Sequence, residues 1–158
     1  MEYEVRKACP ENASVLSAIA FESKAYWGYS EEFMEACRDE IEVTKEKMLQ
    51  KRFQFVSMSI GGKIVGFYSL ERISEEAVEL EALFVAPGFI GKRIGRALFE
   101  SAVETAVSGG FEEMLIVSDP NAAGFYKAAG CEQVGDEESE SIPGRMLPLF
   151  RIGLRSPK

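Results

Sequence analysis

The chain has 158 residues, enough for one compact domain that buries a sizeable core without disulfides or metals. Acidic residues outnumber basic ones by 26 to 18, and the net charge of -8 disfavours nucleic-acid backbones and acidic membrane surfaces as partners. The sequence contains no histidine, which excludes Ser-His-Asp and Cys-His nucleophiles, His-ligated zinc and imidazole bases.

The cysteines and the N-terminal residues indicate the compartment. Cys9, Cys37 and Cys131 form no Cys-x-x-Cys pair, which disfavours a disulfide framework and a thiolate metal site. Met1-Glu2-Tyr3-Glu4 lacks the basic and apolar regions of a signal peptide, and no apolar run approaches a membrane span. We therefore expect a cytoplasmic protein without a metal, formed by a single domain over residues 1–158.

The first half of the chain is predicted to contain a strand, three helices and a hairpin. In chain order these are a strand at 3–8, helices at 10–28, 30–40 and 44–50, and strands at 53–60 and 63–70. Gly61-Gly62 joins the last two strands as a typical two-residue hairpin loop.

The second half is predicted to alternate strands with helices. The elements are a strand at 77–86, a helix at 91–108, a buried strand at 113–117, a helix from Asp119-Pro120 to Gly130, and two strands around Pro143-Gly144. Asp before Pro is the preferred order at a helix start. The whole order predicts an α/β fold with a mixed sheet and helices on both faces.

The turn between the strand at 77–86 and the following helix is the most informative segment for function. Free N–H groups and the helix dipole converge there, which favours an anion. Lys92, Arg93 and Arg96 lie at this helix start, although each cation opposes the dipole by about 0.3–1 kcal/mol. In an acidic chain this placement favours a phosphate site, and the alternative is an ordinary solvated helix start. The glycine spacing matches neither a Walker loop nor a dinucleotide fingerprint.

Two segments in the second half resemble sequence motifs of one known family. The first family motif is a Val-x-Pro followed by Arg/Gln-x-x-Gly-x-Gly/Ala. Val85-Ala86-Pro87 and Gly95 match it, whereas Ile90 replaces the Arg/Gln and Arg93 replaces the first Gly. Residues 119–131 are similar to a helix of the form Asn…Ala…Phe-Tyr-x-x-x-Gly-Phe, with two substitutions. On these residues the chain resembles the GNAT superfamily of acetyl-CoA-dependent N-acyltransferases.

This resemblance implies a GNAT-like α/β fold, with a mixed, mostly antiparallel central sheet of about seven strands flanked by helices. It also implies acetyl-CoA as co-substrate and no metal. A bulge is expected to splay one strand so that the pantetheine arm pairs with it. The residues assigned to the coenzyme are Leu83, Phe84, Val85, Ile90, Gly91, Lys92, Arg93, Ile94, Gly95, Arg96, Asn121 and Tyr126.

Proton transfer is assigned by the resemblance to Tyr126 and to the strand carboxylates Glu79 and Glu81. A phenol with an ordinary pKa of about 10 suits proton donation to the departing thiolate, and the alternative is a core aromatic with its hydroxyl at the rim. Alternation puts both carboxylates on one strand face, where repulsion raises one pKa and suits a base. The alternatives are that both only solvate that face, or that water acts as the base.

Two further segments are candidates for the acceptor side of the site. Trp27-Gly28-Tyr29 lies at a helix junction, where its aromatics either wall a pocket or, as we favour, pack in the core. Arg145 in the last turn either binds an acceptor carboxylate or, as we favour, is solvated.

We therefore expect an N-acetyltransferase that moves an acetyl group from acetyl-CoA to a primary amine of a small molecule or peptide through a ternary complex. One alternative is a non-catalytic acyl-CoA-binding sensor. A less favoured one is a KH-like nucleic-acid module, because residues 88–92 also satisfy a Gly-x-x-Gly loop. We expect no nucleic-acid or membrane partner, and the family resemblance is compatible with a homodimer.

Overall fold

The computed structural model describes residues 2–154, and these residues form seven strands and five α-helices. The strands are β1 (Glu4–Lys7), β2 (Phe53–Ile60), β3 (Lys63–Arg72), β4 (Ala77–Val85), β5 (Glu113–Val117), β6 (Glu132–Glu138) and β7 (Met146–Gly153). The helices are α1 (Ala13–Ala25), α2 (Glu31–Ile41), α3 (Lys45–Leu49), α4 (Ile94–Ser108) and α5 (Ala123–Ala128). None of the helices in this range combines the length and apolar character needed to cross a membrane.

All seven strands belong to one sheet with the order β1-β2-β3-β4-β5-β7-β6. Every neighbouring pair is antiparallel except β4 and β5, which run parallel. The mixed, mostly antiparallel sheet of seven strands expected from the sequence is therefore confirmed.

Apolar side chains cover both faces of this sheet. On one face, Leu98 and Phe99 of α4 and Tyr126 of α5 pack against buried residues of β2 to β5 and β7. On the other face, Leu16 and Ile19 of α1 pack against the sheet aromatics, including Phe55 and Phe67. The helices on both faces are thus held by two separate apolar clusters, as predicted.

Local signals in the sequence account for most element boundaries. The side chains of Ser30, Thr44 and Asp119 each accept a hydrogen bond from a backbone N–H at the start of the next helical segment. Gly61 and Gly62 both have positive φ angles, 59° and 82°, as a type I′ hairpin turn requires.

The start of α4 differs from the prediction. The helix begins at Ile94, three residues after the predicted start at Gly91. Gly91 and Arg93 have φ angles of 83° and 65°, in the left-handed region, which is incompatible with a continuous right-handed helix. The residues from 90 to 93 therefore form a loop that carries the chain from β4 to α4.

Candidate active site

A cavity opens where the parallel strands β4 and β5 separate. Residues 77–79 pair with residues 113–115, and the ladder ends there although β4 continues to Val85 and β5 to Val117. The cavity has a volume of about 980 Å³, and residues 80–85 and 116–118 lie along its two sides. The gap between the strands leaves backbone groups of β4 facing the cavity instead of a strand partner.

A bulge in β4 lies next to this separation. Ser69 pairs with Ala82 and Leu70 pairs with Leu80, so Glu81 is the additional residue. The side-chain alternation reverses at this point: Leu80 packs on the α4 side of the sheet and Ala82 on the α1 side. Since a bulge bends its strand and increases the local twist, it explains how β4 turns away from β5. The splayed strand implied by the family resemblance is present.

Glu79 and Glu81 both line the cavity but have different neighbours. The Glu81 carboxylate accepts hydrogen bonds from Lys47 Nζ and Ser69 Oγ. The Glu79 carboxylate has no hydrogen-bond or ion-pair partner among residues 2–154. Burial, and then the negative charges of Glu71 and Glu81, raise its pKa to about 7. Glu79 can therefore exchange a proton near neutral pH.

Tyr126 joins the apolar core to the cavity. Its ring is packed among aromatic side chains, including Phe99 and Phe150, and only 6% of the residue is exposed. Its hydroxyl has no hydrogen-bond partner among residues 2–154. Every fully buried polar side-chain atom of those residues does have a partner, so this hydroxyl is not fully buried. The hydroxyl therefore reaches the cavity surface. Burial, followed by the neighbouring Cys131, raises the pKa of this phenol, which keeps its proton in place.

The N-terminus of α4 forms one end of the cavity. The Ala97 N–H donates to the Arg93 carbonyl at 3.1 Å, which leaves the amides of residues 94–96 without an acceptor inside the helix. Ile90, Gly91, Arg93, Gly95 and Arg96 line this end.

Two residues assigned to the coenzyme are turned away from the cavity. The Lys92 ammonium lies 5.6 Å from the centre of the Phe89 ring, and Lys92 is not among the lining residues. Ile94 is 3% exposed and packs in the core with Leu98. Only the main chain of Ile94 is therefore available at the helix end.

A partly buried polar cluster, formed by Lys24, Tyr29, Asp119, Asn121 and Arg145, contributes a wall of the cavity. Tyr29 Oη donates to Asp119 Oδ2 at 2.8 Å and accepts from Arg145 Nη2 at 2.8 Å and from Asn121 Nδ2 at 2.9 Å. Lys24 Nζ lies 3.1 Å from Asp119 Oδ2.

These contacts shift the titration of the acid groups in the polar cluster. Burial, and then the hydrogen bond to Asp119, raise the pKa of Tyr29 to about 12. Burial by itself would raise the pKa of Asp119, but the Asn121 N–H and the Lys24 charge lower it overall. The cluster therefore holds an anionic Asp119 between two cations.

The cluster corrects two interpretations of the acceptor side. The Arg145 side chain is only 17% exposed and bonds to Tyr29, so the interpretation as a solvated arginine is wrong. Trp27 is 46% exposed and lines the cavity, so core packing is wrong for this residue. Sequence reasoning missed Lys24 and Asp119 as site residues, because the two are 95 positions apart and no local pattern connects them.

Comparisons with known proteins agree with this geometry. A sequence model described as the Acetyltransferase (GNAT) family matches residues 19–131. The chain is 33% identical over 117 residues to an uncharacterized N-acetyltransferase of Methanocaldococcus jannaschii, a match that covers 67% of this chain and 50% of that protein. The chain thus spans about half the length of this curated relative.

Solved structures show the same fold. PaiA N-acetyltransferase from Thermoplasma acidophilum, in complex with coenzyme A, is 23% identical, with a TM-score of 0.79 over 97% of this chain and 99% of that one. A GCN5-related N-acetyltransferase from Rhodopseudomonas palustris is 24% identical, with a TM-score of 0.80 over 98% and 97%. The KH-like alternative is therefore wrong, because the Gly-x-x-Gly segment lies within a different fold.

Proposed function

The chain belongs to the GNAT family of acetyltransferases, and from this premise we propose that it transfers an acetyl group from acetyl-CoA to a primary amine of a small molecule or peptide. The observation that carries the proposal is the separation of β4 from β5. It creates one cavity that runs from the N-terminus of α4 past Tyr126 to the two strand carboxylates. A ternary complex needs such a continuous space for both reactants.

The residues at the α4 end fit coenzyme A. Acetyl-CoA, when bound, supplies the acetyl group as a thioester. Amides 94–96 and the side chains of Arg93 and Arg96 offer donors for its phosphates. Leu83, Phe84 and Val85 pair with β3 on one edge only, so their other edge can bind the pantetheine arm and polarise the acetyl carbonyl.

We assign the base role to Glu79 rather than to Glu81. Glu81 is occupied by Lys47 and Ser69, whereas Glu79 has a free carboxylate and a pKa raised to about 7. A base with this pKa accepts a proton from an ammonium group, directly or through water, and returns it to solvent near neutral pH. Removing that proton frees the amine lone pair to attack the acetyl carbon.

We assign the acid role to Tyr126. Its protonated hydroxyl reaches the cavity without a partner, so it can donate to the sulfur atom as the carbon–sulfur bond breaks. The nitrogen loses two protons in all: the first passes to Glu79 and then to solvent, and the second, released as the amide forms, restores the Tyr126 phenol that has protonated the thiolate. Asn121 lines the same space, although its side-chain amide already donates to Tyr29 and Asp119.

The test is Tyr126→Phe with acetyl-CoA binding and turnover measured separately. We expect kcat to fall about 10²-fold, because a general acid contributes at least that much. The rise in Tm caused by excess acetyl-CoA should stay the same, at several degrees for a ligand about 100-fold above its Kd. Tyr26→Phe is the matched control, since Tyr26 is exposed and outside the cavity.

Other outcomes separate the alternatives. Turnover unchanged in Tyr126→Phe would remove the acid role. A wild-type protein that binds acetyl-CoA but acetylates no amine would be the non-catalytic sensor. Absence of any Tm shift with acetyl-CoA would overturn the proposed coenzyme site itself.

A further inference from the structure

We propose that the acceptor is a small di- or polycationic amine, whose second ammonium group binds carboxylates of β6 and of the turn after it inside the cavity. This inference rests on the proposed acetyl transfer and specifies its acceptor. Its basis is the distribution of charge along the cavity, combined with the position of the Tyr126 hydroxyl.

The two ends of the cavity carry opposite charge. Arg93 and Arg96 line the end formed by α4. Seven carboxylates line the rest of the cavity and have no ion-pair partner among residues 2–154. They come from α2, α3, β4, and β6 with its following turn, and are Asp39, Glu40, Glu46, Glu79, Glu137, Glu138 and Glu140. The basic end of the cavity therefore suits a phosphate-bearing reactant, and the acidic end suits a cationic reactant.

The cations near the acidic end already contact carboxylates of the protein. Lys24 and Arg145 both approach Asp119, at 3.1 and 3.5 Å, and Lys47 pairs with Glu81. Lys24 and Arg145 share one carboxylate and so leave one positive charge unbalanced, but the carboxylates without an ion pair outnumber it. These side chains cannot compensate the free carboxylates without breaking their existing pairs. An acceptor carboxylate would meet uncompensated negative charge, which disfavours an anionic acceptor.

Tyr126 supplies an independent indication of where the acceptor reacts. This side chain is nearly fully buried. Its hydroxyl lies at the cavity surface and has no hydrogen-bond partner among residues 2–154. Under the proposed function the reacting bond lies near this hydroxyl, and Glu79 accepts the proton of the amine that reacts. The carboxylates of Glu137, Glu138 and Glu140 are then left for a second positive group.

The arrangement of the carboxylates favours an extended organic cation. They come from separate elements, and no group of three or more possible metal ligands within the described residues is close enough to hold a metal ion. They also line the cavity itself, so the second charge must enter with the reacting amine. A flexible alkyl chain bearing separated ammonium groups meets both requirements.

The experiment compares diamines with monoamines of equal chain length. Diaminobutane is tested against butylamine, and diaminooctane against octylamine, with kcat/KM for acetyl transfer as one readout. The second readout is the Kd of each amine for the protein with coenzyme A bound, measured by calorimetry. We expect at least one diamine to have a kcat/KM about tenfold higher and a Kd about tenfold lower than its monoamine. Both differences should decrease at high salt.

Charge-removing variants test the location of the second site. Glu137→Gln and Glu140→Gln should each reduce the diamine advantage about fivefold, because each removes one carboxylate from the acidic end. Glu132→Gln is the matched control: it removes the same charge, Glu132 is exposed on β6 as Glu137 is, and it lies outside the cavity. It should preserve the advantage.

The outcomes distinguish this inference from the proposed function. Equal values for diamines and monoamines would overturn the dication site, as would a lysine-rich peptide that is acetylated in preference to every diamine. If no amine is acetylated, the calorimetric Kd values still decide the inference. Failure of the proposed function is detected separately, as the absence of acetyl transfer to every amine or of a Tm shift with acetyl-CoA.

Discussion

At the scale of single residues, neighbours decide what a side chain can do. Glu79 and Glu81 are the same residue type, two positions apart on β4, and both reach the cavity. Glu81 is held by Lys47 and Ser69, whereas burial, and then the charges of neighbouring carboxylates, raise the pKa of Glu79. The sequence predicted the pair as candidate bases and left their roles open, because the partners that distinguish them come from distant segments.

The raised pKa of Glu79 has a consequence for stability. Its folded-state pKa of about 7 lies above its ordinary value of 4.5, so the folded protein binds more protons between these values and loses stability as the pH rises through them. We expect Glu79→Gln to raise Tm by about 2–4 °C at pH ~8, after allowing for solvent screening. The gain should shrink steadily as the pH is lowered to about 5, where the folded-state carboxyl is protonated.

Thermal unfolding at several pH values measures this effect. Glu104→Gln is a suitable control, because Glu104 is exposed on α4 and lies outside the cavity. A gain in Tm for Glu79→Gln that is equal at every pH would contradict a raised pKa in the folded protein.

At the scale of secondary-structure elements, the site depends on how closely α4 approaches the sheet. Gly66 on β3 lies at this contact: an added Cβ would be 2.9 Å from Leu98 Cδ1 and 2.9 Å from the Phe84 carbonyl oxygen. The backbone oxygen cannot rotate away, so a larger residue must push β4 or α4 outward. Gly66 therefore helps to set the width of the space beside Phe84.

We expect Gly66→Ala to lower the free energy of unfolding by about 1–3 kcal/mol, the usual cost of overpacking. The same variant should weaken acetyl-CoA binding, because it displaces β4 where we propose that the coenzyme pairs. Urea unfolding measures the first effect and the acetyl-CoA Tm shift the second.

The matched control for this prediction is Gly135→Ala. Gly135 also lies in a strand, an added Cβ there would meet nothing within 4 Å, and its φ is not positive. It should be neutral or slightly stabilising. Equal effects of both substitutions would contradict the close approach at Gly66.

At the scale of the whole molecule, the polar cluster joins segments that are far apart in sequence. Tyr29 lies 90 residues from Asp119 and 116 residues from Arg145, and it bonds to both. The helical layer at α1 and α2 is thereby connected to the segments that follow β5 and precede β7. The cluster holds the acceptor side of the cavity in place with partly buried, charge-assisted hydrogen bonds.

A double-mutant cycle measures this connection. Tyr29→Phe and Asp119→Ala should show a coupling free energy of about 1 kcal/mol in urea unfolding, because each substitution removes the hydrogen bond between the two side chains. The exposed pair Arg96 and Glu100, one helical turn apart, should couple by no more than about 0.5 kcal/mol. Additive effects of the Tyr29 and Asp119 substitutions would show that the buried contact contributes nothing to stability.

Much of the fold was predictable from the sequence because its signals are local. Gly61-Gly62 required a tight hairpin, Ser30, Thr44 and Asp119 capped their helices, and the element order indicated a mixed sheet. The start of α4 was mispredicted because Arg93 adopts a left-handed conformation that helical periodicity does not reveal.

The site itself required the tertiary contacts. Residues of β4 and of the turn before α4 line one cavity because residues on one strand or one turn stay together, although Lys92 and Ile94 are turned away from it. The separation of β4 from β5, the different partners of Glu79 and Glu81, and the burial of Arg145 were not encoded by any local pattern. Each depends on segments brought together by folding, where burial and neighbouring charges set the pKa and the available contacts of every group.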